Sequence, residues 1–151
     1  MFSFFKKRRE MKKVELAATN GAISALLSAS SILRNQVSSI GDDVIKIHPY
    51  IHSVFARGYI YGFIEASVVK SGVKYLDDMH LSILVMLGHA YFFDKDPIKA
   101  QGYWAETQDL LERQKDTDCL RAKDFGAIEY KSMITAQDIP ESLADGYFSQ
   151  R

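Results

Sequence analysis

Cysteine is almost missing from this chain. Cys119 stands alone among 151 residues, which excludes an internal disulfide framework and any zinc site built from several thiolates. Proline is nearly as scarce: Pro49, Pro97 and Pro140 are the only three, and each stands where a helix can begin. Net charge is missing too, since nineteen Lys and Arg offset nineteen Asp and Glu. A nucleic-acid binder working by bulk charge is thereby excluded for the body of the chain. Neither Gly-x-x-x-x-Gly-Lys nor Gly-x-Gly-x-x-Gly occurs, and no Ser or Cys lies in a nucleophile-elbow pattern. No cofactor is expected on these grounds, and the chain reads as a helical protein without catalytic activity.

The zero charge is a sum of unequal parts. Residues 1–13, MFSFFKKRREMKK, carry a balance of +5, and residues 14–151 carry −5. Two parts are therefore expected, a basic-aromatic segment over 1–13 and a helical domain over 14–151. Phe2, Phe4 and Phe5 followed by Lys6, Lys7, Arg8 and Arg9 supply both an apolar and a cationic term, the two signals that reversible anchoring to an anionic membrane requires. A cleaved secretory signal is not expected. The uncharged stretch from Leu16 to Leu33 is interrupted by Thr19, Asn20, Gly21, Ser24 and Ser28, and its apolar residues follow a helical stripe. The serine-rich back of that helix lacks the Glu and Lys of a solvated face, which points to a covered or self-associating surface.

The rest of the pattern is helical throughout. Apolar spacing predicts helices over Val14–Ser39, Pro49–Ser71, Tyr75 or Asp78 to Phe93, Asp96 to about Arg113, Asp118–Ile134 and Pro140–Asp145, the last ended by Gly146. Met79–Phe93 is strongly apolar, but fifteen residues at about 1.5 Å each reach only ~22 Å, short of a ~30 Å bilayer core. The second helix is apolar around most of its axis, so it belongs in the middle of a bundle. The expected fold is an all-α, single-domain bundle of five to six helices.

Several residues qualify as candidates for chemistry. His89 lies in a deeply apolar stretch and needs a hydrogen-bond partner, with Glu65 or Tyr61 in reach from the second helix. Asp78 shares its helix face, so Glu65, Asp78 and His89 form the catalytic candidate. Asp77 and His80, three apart, are the metal candidate, although a capping role explains an acid at that place equally well. His48 and His52 have ligand spacing, but Pro49 turns the residue before it away from helical angles. Cys119 reads as a small core residue.

Gly58 and Gly62, four apart, allow another helix to come close, either within the chain or from a second copy. With Tyr59 and Tyr61 they mark the candidate interaction surface. The leading expectation is a cytoplasmic interaction protein that binds another protein or itself through an apolar-aromatic helix surface. The alternatives are a peripheral protein at the inner face of the membrane and a small ligand- or metal-binding enzyme.

Overall fold

One helix is buried along most of its length, and the others are arranged around it. In the computed structural model, which describes residues 5–9, 12, 20–40, 49–72 and 77–149, every regular element is helical. They are α1 (Asn20–Ser39), α2 (Val54–Lys70), α3 (Asp78–Phe92), α4 (Pro97–Gln108), α5 (Thr117–Ala136) and α6 (Ser142–Ser149). Residues 5–9 are also helical, and Asp109–Arg113 form a π-helical turn at the end of α4. The protein is an all-α, single-domain bundle. No described helix is long and apolar enough to cross a membrane.

α2 is buried without interruption from Ala56 to Ile64 and touches each of the five other helices. Its closest partner is α5, and glycine makes that approach possible. A methyl group on Gly62 would lie inside the contact radius of the Lys123 carbonyl oxygen, and one on Gly58 would come 2.9 Å from the Ala122 Cβ. α5 reciprocates through Gly126, which lies against the Tyr59 carbonyl and 2.9 Å from the Phe63 nitrogen on the same measure. The seam left open in the sequence between copies is thus filled by α5 of the same chain.

Short polar side chains set the helix boundaries. Asp77 and Asp96 cap α3 and α4, accepting from His80 N at 2.8 Å and Lys99 N at 3.1 Å, with Pro97 in the first turn as expected. Three boundaries differ from the sequence reading. The second helix does not run from Pro49: residues 49–51 make one turn, and Ser53, extended at ψ 155°, starts α2 afresh by accepting from Ala56 N. α5 begins at Thr117 because Asp116 caps it through Cys119 N at 2.9 Å. The last helix begins at Ser142 and continues through Gly146 to Ser149 instead of stopping there. Its first amide, Ser142 N, is received by the Glu129 carboxylate at 3.0 Å, and Gly146 is where the helix lies against Tyr50 and Phe55. Val14–Thr19 of the expected first helix lie outside the described residues.

Within the chain the serine back of α1 is not covered: Ser24, Ser28, Ser31, Asn35 and Ser38 are all exposed, and α1 is held through its other face. Ser30 is buried and donates to the Gly88 carbonyl on α3 at 2.9 Å. Gln36, six residues further on, donates to the Tyr59 hydroxyl at 3.1 Å and accepts from Leu143 N at 3.1 Å, tying α1 to α2 and α6.

A matched pair of substitutions tests the seam. Gly62→Ala forces a methyl into the α5 backbone and is expected to cost roughly 3 kcal/mol or more. Gly102→Ala on α4, where an added methyl meets nothing within 4 Å, is expected to stabilise by about 0.5–1 kcal/mol through helix propensity. Denaturant titration of both variants gives the comparison, and a near-neutral Gly62→Ala rejects the seam as a close backbone contact.

Candidate functional site

The basic-aromatic segment is anchored to the bundle by one carboxylate. Lys7 Nζ donates to Asp96 Oδ2 at 2.8 Å, while the other oxygen, Oδ1, caps α4. The hydrogen bond from Lys7 is the main reason that the Asp96 carboxyl is held below its usual range, with the capped backbone amides adding to it. Residues 5–9 therefore lie at the corner where α3 turns into α4. Phe5 (57% exposed) and Ile98 (53%) are its exposed apolar side chains. Lys6, Arg8, Arg9, Lys95 and Lys99 are exposed around them. Phe2 and Phe4 lie outside the described residues.

The turn itself has unusual backbone. Asp94 and Lys95, neither of them glycine, are both left-handed, at φ 59° and 61°. Such residues cost about 1–2 kcal/mol each, and hydrogen bonds from Asp94 N to Tyr91 O at 3.2 Å and Lys95 N to Ala90 O at 2.7 Å hold them.

The second polar concentration is internal and centres on Arg57, which the sequence reading passed over. Its guanidinium donates to the His52 carbonyl (3.1 Å), His52 Nδ1 (2.9 Å), the Tyr103 carbonyl (3.1 Å) and Glu106 Oε2 (2.6 Å). It also lies 4.4 Å above the Tyr103 ring. A guanidinium only donates, so His52 Nδ1 is the acceptor, and in the neutral ring Nε2 carries the proton. A lone arginine inside the apolar run VFARGYIYGF was the available signal, because a cation there has to find several acceptors.

The catalytic candidates are not brought together. His89 is fully buried, and its Nδ1 lies 2.9 Å from the Val85 carbonyl on its own helix. Neither expected partner bonds to it. Tyr61 approaches as a ring, with centroids 5.9 Å apart, and the Tyr61 hydroxyl accepts from Gln108 instead. Glu65 pairs with Lys123 at 3.5 Å. Asp78 is exposed at the start of α3, eleven residues or roughly 16 Å of helix from His89. The Asp77 carboxylate is occupied as a cap, and among the described residues no group of three metal-ligating side chains forms. His48 lies outside the described residues.

Gly58, Tyr59, Tyr61 and Gly62 are all buried and offer no surface to a partner; the physical reason is the α5 seam. Cys119 is buried beside that seam, and burial pushes its thiol up to about 11. Among the described residues three interior polar atoms have no hydrogen-bond partner: His89 Nε2, the Trp104 indole nitrogen and Gln108 Oε1. No protein-family model, no curated protein and no solved structure matches the chain.

Burial lowers the His89 pKa from 6.5 to about 4, with the nearby Arg57 charge pushing the same way against the Val85 hydrogen bond. The unfolded chain takes up this proton near pH 6.5 and the folded chain only near 4, so the unfolded state binds more protons between those values. Stability from this group is complete above pH 6.5 and is lost as the pH falls from 6.5 to 4, by about 3 kcal/mol in all. Denaturant titrations of the protein and of His89→Gln across that range are expected to show the shallower slope in the variant. Parallel profiles reject the assignment.

Proposed function

We propose that this protein is a peripheral, non-catalytic helical protein that associates with anionic membrane surfaces through residues 2–9. The observation that supports it is the Lys7–Asp96 ion pair, which sets residues 5–9 beside a corner that already exposes Ile98, Lys95 and Lys99. Phenylalanine inserts at the headgroup boundary, and each nearby cation adds about 1 kcal/mol on an anionic leaflet. The acids of this corner oppose that attraction only in part, since the Asp96 charge is already matched by Lys7 and Asp94 lies 3.6 Å from Arg34. The net charge of −5 over residues 14–151 is repelled by an anionic surface, so the attraction comes from the basic segment and the cations beside it.

Co-sedimentation with vesicles tests this reading. The full chain is expected to pellet with phosphatidylserine-containing vesicles and to stay in solution with phosphatidylcholine alone. Replacing exposed Lys6, Arg8 and Arg9 together by Gln is expected to weaken binding about a hundredfold. Equal pelleting with both vesicle types, or an unchanged triple variant, rejects it.

A second reading, protein–protein contact, is favoured by a different observation. Of the eleven exposed large apolar side chains among the described residues, six lie between Leu120 and Phe148, including Phe125, Ile128 and Ile139. Beside them a groove of about 620 Å³ runs between α1, the end of α5 and α6, with Asp138, Glu141 and Asp145 on its rim. A second copy is the occupant whose +5 segment complements that acidic rim. Sedimentation velocity at low salt is expected to show association that added salt weakens. A monomer at high micromolar concentration in low salt rejects the reading.

A further inference from the structure

A second cleft lies between α1, the 49–53 turn and the start of α4, and its lining differs from that of the acidic groove. It has a volume of about 220 Å³, with Ile51, Phe92 and Phe93 among its apolar walls and Arg34, His52 and Lys99 as its charged or ionisable side chains. Among the described residues no carboxylate lines it. A cleft that gathers cationic groups beside aromatic rings, with no carboxylate among its described lining, is complementary to an oxyanion carried on an apolar body.

The two cations keep most of their bonding capacity. Among the described residues the Arg34 guanidinium makes a single ion-pair contact, 3.6 Å to the exposed Asp94, which is longer than a hydrogen bond. Lys99 Nζ lies 5.4 Å over the Phe93 ring, at the mouth of the apolar wall. Both side chains are exposed, so a ligand replaces water around them and no structural bond has to break.

The back of the cleft, by contrast, is fixed. Arg57 holds His52 by both its carbonyl and its Nδ1, at 3.1 and 2.9 Å. The Tyr103 hydroxyl donates to the Ile51 carbonyl at 2.7 Å, and the Phe93 ring packs edge-on against Tyr103 with centroids 4.8 Å apart. The walls are therefore held in place before any ligand arrives, which spares binding the cost of ordering them. Beyond Arg34 and Ser38, which it shares, a polar cleft of about 370 Å³ continues to Ser31, Asn35 and the left-handed Asp94–Lys95 turn. Backbone strain of this kind persists only where the surroundings hold it, and it gathers at ligand sites.

We propose that this cleft binds a small organic anion, its carboxylate or phosphate group held by Arg34 and Lys99 and its aromatic or short aliphatic body laid against Phe92 and Phe93. The inference shares Lys99 with the corner of the membrane reading but uses none of residues 2–9, and it is tested without vesicles.

The test is a titration of the full chain followed by amide chemical shifts, using four probes: benzoate, phenyl phosphate, benzyl alcohol and inorganic phosphate. Benzoate or phenyl phosphate is expected to give saturable shifts centred on Arg34, Phe93 and Lys99, and the better of the two identifies the anionic group. Benzyl alcohol, which lacks the charge, and inorganic phosphate, which lacks the body, are each expected to bind at least about tenfold more weakly. The double variant Arg34→Gln/Lys99→Gln is expected to lose at least about tenfold in affinity with an unchanged thermal midpoint, since both side chains are exposed. The proposal is overturned by shifts centred elsewhere, by no saturable shift with either aromatic anion, by benzyl alcohol or inorganic phosphate binding as tightly, or by a double variant that binds like the original protein.

Discussion

The structure depends on two backbones touching. Where α2 and α5 cross, Gly58, Gly62 and Gly126 let main chain lie against main chain, with no side chain between them. Dispersion contacts are individually small, but a seam of this kind gathers many at short range and excludes water from the helix surfaces. The close approach also decides where the bulky residues go. Tyr59 and Phe63 stack along the flank of α2 and meet Gln36 and Tyr130 there, which is how α1 and the far end of α5 are drawn in. Three glycines weaken two helices locally, and tertiary packing more than restores what propensity loses.

A buried cation then organises what the seam leaves open. Arg57 satisfies its donors on the 49–53 turn and on α4. Removing one partner from such an arrangement is costly, because the groups left behind remain buried. The interior around it is not fully satisfied, since among the described residues His89 Nε2, the Trp104 indole nitrogen and Gln108 Oε1 lack partners. The bundle thus combines a tight apolar side with a polar side whose hydrogen bonding is incomplete, and the cleft lined by His52 and Lys99 opens on the polar side.

Much of this was readable in the sequence, for reasons that are local. Asp77, Asp96 and Pro97 announce helix starts because the first turn needs acceptors and tolerates a missing N–H, and α3 and α4 begin there. The central place of α2 followed from its apolar residues lying all round the axis. The failures concern residues whose meaning is set by distant neighbours. Gly126, which by propensity alone weakens its helix, is the reciprocal of Gly58 and Gly62. Gly146 read as a terminator, but it lies inside α6 against Tyr50 and Phe55. Pro49 suggested a continuous helix because nothing local shows that Ser53 will cap a new one. The candidate trio of Glu65, Asp78 and His89 came from facing positions on two helices, yet Lys123 claims Glu65 from a third. The charge split and the basic segment were legible; the carboxylate that holds the segment was seen only as a cap.

That carboxylate has a consequence of its own. Asp96 gives one oxygen to the first turn of α4 and the other to Lys7, so the helix end and the segment share a single anion. Two ligands of one group are thermodynamically linked: whatever draws Lys7 away changes the charge available to the helix dipole, and whatever alters the cap changes the hold on Lys7, by the same free energy in both directions. An anionic surface competing for that ammonium would therefore be felt at the Lys99 amide, inside the folded bundle. The N-terminus of α4 serves as an internal reporter of whether the segment is docked or released.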